Sequence, residues 1–205
     1  MKMRRFAFAC CPLFFIVAPA TKPPIPATKA LLKQYSDPTN GVSFKYPADW
    51  KMSREPSFYL QPAIFYPQQS AQAVVSFSPS GTLRETNFDG LEFAYVALPE
   101  PNQASCLEHV TKEIDPEERK LETVTINGTR FFHIKAGDGG LCHQANSNIY
   151  ETYHHGSCLL FEAAFYTVCP DPDEGEAQLT AAQSKALSQP LDAIIHTVQI
   201  PIEKE

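Results

Sequence analysis

The chain has 205 residues, of which 43% are apolar and 20% charged; that is enough for one well-buried domain and excludes general disorder. Its formal charge of −6, with no basic stripe, argues against nucleic acid and anionic membranes as partners, and solubility alone accounts for the acidity.

The first twenty residues carry Lys2, Arg4 and Arg5, then an apolar run from Phe6 to Val17, then Ala18-Pro19-Ala20. This is the pattern of a secretory leader with cleavage between Ala20 and Thr21. The apolar run is shorter than the about 20 residues a spanning helix needs, which places an uncleaved membrane anchor second and a lipid-modified Cys10 or Cys11 third. Cleavage removes three of the 17 basic residues and none of the 23 acidic ones, moving the formal charge from −6 to −9. Residues 21–33 follow as an extended tether containing Pro23, Pro24 and Pro26, and residues 34–205 as a single globular domain.

The domain opens with Tyr35-Ser-Asp-Pro-Thr-Asn-Gly-Val-Ser-Phe-Lys-Tyr-Pro-Ala-Asp-Trp50, in which Asn40-Gly41 makes a turn and Val42, Phe44 and Tyr46 alternate as a strand. This stretch resembles the start of PsbP-like domains, with Val42 where an aromatic residue is more usual. The resemblance implies an α/β/α sandwich around a central, mainly antiparallel sheet (class α+β). For most members it implies an accessory or binding role rather than catalysis. The matched residues read as core and turn positions, so no ligand site comes with them.

The rest of the chain supports a compatible architecture. Phe58 to Phe65 and Ala73 to Phe77 read as strands, and Asp89 to Leu98 as a helix with Leu91, Ala94, Tyr95 and Leu98 on one face, stopped by Pro99. A second helix starts at Ser105, with Glu108 completing a capping box, and carries Cys106, Leu107, Val110 and Ile114 on one side. Glu122 to Ile126 and Thr129 to Lys135 form a hairpin around Asn127-Gly128; Asn127-Gly128-Thr129 also matches a glycosylation acceptor, but the turn explains it. Gly137 to Gly140 reads as a turn.

A further hairpin runs from Asn146 to His154, turns at His155-Gly156, and returns from Ser157 to Val168. Both faces of the returning strand are apolar, which places it in the middle of a covered sheet. Leu179, Ala182, Ala186 and Leu187 mark a last helix. Pro190 starts a final turn with Leu191, Ile194 and Ile195, and Thr197 to Ile200 closes as a strand.

Four cysteines remain after cleavage, and an exported chain favours two disulfides over a nucleophile or metal site. One extended strand from Cys158 to Cys169 holds its ends about 36 Å apart, which excludes that pair. A two-residue turn at His155-Gly156 sets Cys142 opposite Cys169 in an unbroken hairpin, leaving Cys106 for Cys158. A cysteine nucleophile at Cys142-His143 is disfavoured because adjacent strand residues point to opposite faces. His133, His143, Glu151, His154 and His155 are candidate zinc or copper ligands, although none of the familiar ligand spacings is present. Asp171-x-Asp173-x-Gly175 lacks the later ligands of a calcium loop.

The expectation is therefore a secreted or periplasmic, non-enzymatic accessory or binding protein of the cell envelope, with a metal-binding protein as the alternative. The chain is expected to act as a monomer without cofactor and without a membrane span after cleavage. Its partner is an unidentified envelope protein or small ligand.

Overall fold

The computed structural model describes residues 31–55, 71–112, 121–140, 142–171, 173 and 175–201. The segment read as a leader with its Ala20–Thr21 cleavage point, most of the tether, the strand expected over Phe58 to Phe65 and the end of the second expected helix at Ile114 lie outside the described residues. Nine strands are described: β1 (Leu32–Ser36), β2 (Ser43–Pro47), β3 (Lys51–Ser53), β4 (Ala73–Phe77), β5 (Phe88–Pro99), β6 (Leu121–Ile126), β7 (Thr129–Gly140), β8 (His143–His154) and β9 (Ser157–Val168). The helices are α1 (Gln103–Lys112) and α2 (Ala181–Ile195). β1 takes in the last two residues of the stretch expected as tether.

β1 and β2 form a separate ribbon, and the other seven strands make one antiparallel sheet in the order β3-β4-β5-β9-β8-β7-β6. β9 is therefore the central strand, as its two apolar faces require. Leu159, Phe161, Ala163 and Phe165 face one core, with Phe93 and Tyr95 of β5, the ribbon residues Val42, Phe44 and Tyr46, and Leu191, Ile194 and Ile195 of α2. Cys158, Leu160, Ala164 and Tyr166 face the other core, with Ala94, Val96 and Leu98 of β5 and Cys106 of α1. One helix packs on each side, which makes the fold an α+β sandwich.

The residues expected to form the first helix are strand β5. Leu91, Ala94, Tyr95 and Leu98 do fall at helical spacing, but Phe93, Val96 and Ala97 fill the gaps between them. A run apolar on every side fits a strand buried on both faces as well as it fits a helix. Phe88 shares the first core with Leu91 because the register shifts between Phe88 and Gly90, so an extra residue there changes the parity of the strand.

The helix caps also differ from expectation. α1 begins at Gln103, and Asn102, not Ser105, caps it: its Oδ1 accepts from the amides of Ala104 at 2.9 Å and Ser105 at 3.0 Å. α2 starts after Thr180, which makes a capping box with Gln183, so Leu179 precedes the helix. Pro190 lies inside this single helix instead of starting a new turn. Gly137 to Gly140 belongs to β7, and the expected closing strand reduces to one bridge, where Gln199 and Ser43 exchange backbone hydrogen bonds of 2.8 and 3.0 Å.

The Tyr35–Trp50 opening works as a docking unit. Asp37, only 6% exposed, accepts hydrogen bonds from Thr39 N at 2.9 Å, Asn40 Nδ2 at 2.7 Å and the Tyr95 hydroxyl at 3.0 Å. The first two close the turn; the third fastens it to the sheet. Gly41 has φ +70°, and a Cβ there would come within 2.5 Å of the Pro201 ring. Phe44 then meets Phe93 edge-on with centroids 5.1 Å apart. At the far end, Asn127 Nδ2 donates to His196 O at 2.9 Å and Val198 O at 2.7 Å, tying the β6–β7 turn to the C-terminal segment. Its positive φ of 49° and that of Gly128 match the expected Asn-Gly turn.

Burial pulls the Asp37 carboxyl upward, but the hydrogen bonds from Asn40, Thr39 and Tyr95 outweigh it and hold the group below its usual range. Asp37→Ala unpairs the turn and the Tyr95 hydroxyl together and is expected to cost about 2–3 kcal/mol in urea unfolding at neutral pH. A folded-state pKa that is depressed contributes stability above the ordinary carboxylate pKa. The gap between wild type and variant should therefore close as the pH falls through the depressed value.

Candidate functional site

The His155-Gly156 turn has positive φ at both residues, 47° and 75°, the backbone of a two-residue turn that matches strand twist. From it the β8–β9 register runs without a bulge, from His154 opposite Ser157 to His143 opposite Val168. One step further, Cys142 meets Cys169, with Cα atoms 4.7 Å apart. Cys106 of α1 lies against Cys158 with a Cα separation of 5.3 Å. Both pairs are joined through their sulfurs, so neither Cys142 nor Cys158 offers a thiolate.

The proposed metal ligands do not meet. His133 sits opposite Tyr150 and stacks on it at 4.6 Å, which puts it on the first face, whereas the next residue of β8, Glu151, points to the second. His143 and His154 stand at opposite ends of β8, about 37 Å apart along an extended strand. His154 and His155 pack ring against ring at 4.0 Å beside the turn. Among the described residues, the one cluster of three potential donors is Cys106, Glu151 and Cys158, and its two sulfurs are bonded to each other. Asp171 and Glu176 accept the backbone amides of Asp173 and Asp171 at 2.9 and 3.0 Å, so those carboxylates close a turn.

Glu151 is 1% exposed, and neither carboxyl oxygen has a hydrogen-bond partner. Burial pushes its pKa up to about 8. Glu162, on the same face of β9, is pushed up to about 7 by burial, aided by the charge of Glu92 and opposed by a 2.6 Å hydrogen bond from Ser147. Burial in the second core thus resists the ionisation of both acids.

A polar-lined cavity lies on the first face, between α2 and the ends of β8 and β9. Gln144, Asn146 and Asn148 occupy alternate positions of β8 and oppose Thr167, Phe165 and Ala163 of β9. Ser184, Lys185 and Ser188 of α2 form the facing wall, and the enclosed volume is about 400 Å³. A second hollow of about 370 Å³ adjoins it, sharing Asn87, Gln144 and Gln178 and reaching the Cys142–Cys169 pair. Asn87 keeps the loop before α2 in place by accepting the Leu179 amide at 2.8 Å.

The sequence reading did not single out these residues, because it started the strand at Asn146 and took its carboxamides as flanking polarity. The available signal was their spacing: Gln144, Asn146 and Asn148 continue the row of Tyr150, which packs against the first core. Polar residues on the inward-facing row of a strand mark a place where the core stops.

No family model matches the chain, and no curated protein does. Several solved structures are similar. The cyanobacterial PsbP (CyanoP) of Synechocystis sp. PCC 6803 shares 13% identity over 90% of this chain and 100% of that one, with a TM-score of 0.45. LpqN of Mycobacterium tuberculosis, involved in cell envelope biogenesis, shares 10% identity over 83% and 92%, with a TM-score of 0.46. A protein of Bacteroides thetaiotaomicron VPI-5482 shares 14% identity over 84% of this chain, with a TM-score of 0.41, and the match spans half of that protein's length. At these identities and TM-scores no site, ligand or role passes across.

Two outcomes are expected. Alkylation without reductant, followed by peptide mapping, should leave Cys106, Cys142, Cys158 and Cys169 unlabelled, and a label on any of them would break the pairing. Glu151 loses its proton near pH 4.5 when unfolded and near pH 8 when folded, so it weakens the fold progressively across that window. Glu151→Gln removes this dependence. Relative to wild type, the variant should gain on the order of 5 kcal/mol between pH 4 and pH 9 in urea unfolding.

Proposed function

We propose that the chain is an exported, non-catalytic binding domain of the cell envelope that holds its ligand in the groove between α2 and the β8–β9 face. The observation that carries this reading is the row of three carboxamides, Gln144, Asn146 and Asn148, facing a cavity of about 400 Å³. That volume lies within the range of small-molecule sites, which combine an apolar floor with a few placed polar groups. Phe165 and Leu191 supply the floor here.

A binding role without catalysis is supported by the chemistry available. Among the described residues the sulfurs are paired, the histidines are dispersed over both faces and both ends of the sheet, and the buried Glu151 and Glu162 lie on the opposite face from the groove. Export is supported by the leader at the N-terminus and by two cysteine pairs at bonding distance. Among the described residues, no helix is long and apolar enough to cross a membrane. The expected mature form runs from Thr21, with a tether to about residue 33 and one globular domain after it.

The test is backbone amide shift mapping of the mature protein against a neutral and charged fragment library. Shifts should concentrate on Gln144, Asn146, Thr167, Gln178 and Ser184, and Ser184→Trp, which fills the groove from the helix side, should abolish them with the fold intact. Shifts that cluster on another surface would overturn the assignment.

A further inference from the structure

Gln144, Asn146 and Asn148 present their carboxamides in one row with a spacing of about 7 Å, the repeat of alternate residues in a strand. Each carboxamide is a donor and an acceptor at once. His133 Nε2 lies 3.1 Å from Asn148 Oδ1, and the ring is itself held by Glu122 at 3.4 Å and by Tyr150, so Asn148 is oriented from behind. Hydroxyls of Ser184 and Thr167 line the same space. Its charged groups are one cation, Lys185, and one anion, Asp192, which leaves the groove without net charge.

Beside Asn146 the sheet is bare. Gly137 of β7 stands directly opposite Asn146, and a Cβ at that position would meet only the Ala145 carbonyl oxygen at 3.8 Å. Asn146 therefore borders bare sheet at Gly137 on one side, with Lys135 next along β7 opposite Asn148, and an apolar floor of Phe165 and Leu191 on the other.

These features select among ligands. A polyanion or a metal ion needs a wall of one sign of charge, which this groove lacks. An extended peptide is held chiefly by backbone pairing at a sheet edge, whereas β8 and β9 here pair with each other and with β7 and β5 on their outer sides. What remains is a ligand whose own groups are donors and acceptors together, set around apolar ring faces. We propose that the groove binds a neutral saccharide, its hydroxyls paired with Gln144, Asn146 and Asn148 and one ring face lying over Gly137 or Phe165. The proposal rests on the groove being the ligand site.

Isothermal calorimetry of the mature protein with cellotetraose and with chitotetraose tests it, a neutral decapeptide serving as the third probe. One saturable site is expected for at least one of the two sugars and none for the peptide. Asn146→Leu, in a side chain exposed at the groove wall, should weaken that binding at least tenfold with the thermal unfolding curve unchanged. Binding that Asn146→Leu leaves intact would overturn the proposal, and so would binding of the peptide alone. If fragments shift the groove amides while both sugars fail, the saccharide class is wrong and the groove stands. If nothing shifts those amides, both readings fall.

Discussion

Every side chain of the sheet takes its place from the register that the His155-Gly156 turn imposes on β8 and β9. Side chains alternate with a period of two, so a slip of one residue would send Phe161 and Phe165 to the face of Glu162, and Glu162 into the aromatic core. Deep burial of Leu159, Phe161 and Ala163 on one side and of Cys158, Leu160 and Ala164 on the other makes such a slip costly in both directions. The same count brings Cys142 to Cys169 and turns Cys158 toward α1. It also puts Gln144, Asn146 and Asn148 under α2. Cores, cysteine pairs and groove are consequences of one two-residue turn.

Two buried acids show how far the surroundings decide the chemistry of a carboxyl group. Asp37 is surrounded by three donors, and their hydrogen bonds more than offset the loss of water, so it stays ionised and anchors the ribbon to Tyr95. Glu151 has none, and desolvation alone governs it. One group strengthens the fold as the pH rises, and the other weakens it. The protein therefore ties its aromatic face together with a charge, while burial on the opposite face raises the pKa of Glu151 and Glu162.

Much of this architecture was legible because it depends on local rules. The Asn127-Gly128 and His155-Gly156 turns follow from the need for positive φ, the centrality of β9 from its two apolar faces, and the cysteine partners from counting along an unbroken hairpin. β5 was misread because burial on both faces erases the alternation that identifies a strand, and its bulge at Phe88 disturbs what alternation is left. The cap at Asn102 was missed for a simpler reason: Ser105 and Glu108 offer a capping pattern one turn further on, and only the backbone decides which is used. The groove was the least legible feature, since its residues are ordinary polar residues until the facing helix is placed.

That helix is divided in its duties. On the C-terminal side of Pro190, Leu191, Ile194 and Ile195 are buried in the first core, while on the N-terminal side Ser184, Lys185 and Ser188 face the cavity. Proline has no amide hydrogen to donate, so one rung of the helical ladder is missing at the boundary between the two halves. Substitutions at Ser184, Lys185 or Ser188 alter the wall of the groove without opening a hole in the core, whereas Leu191 serves both and a change there reaches core and groove together. The wall of the groove can thus vary at little cost to the stability of the fold.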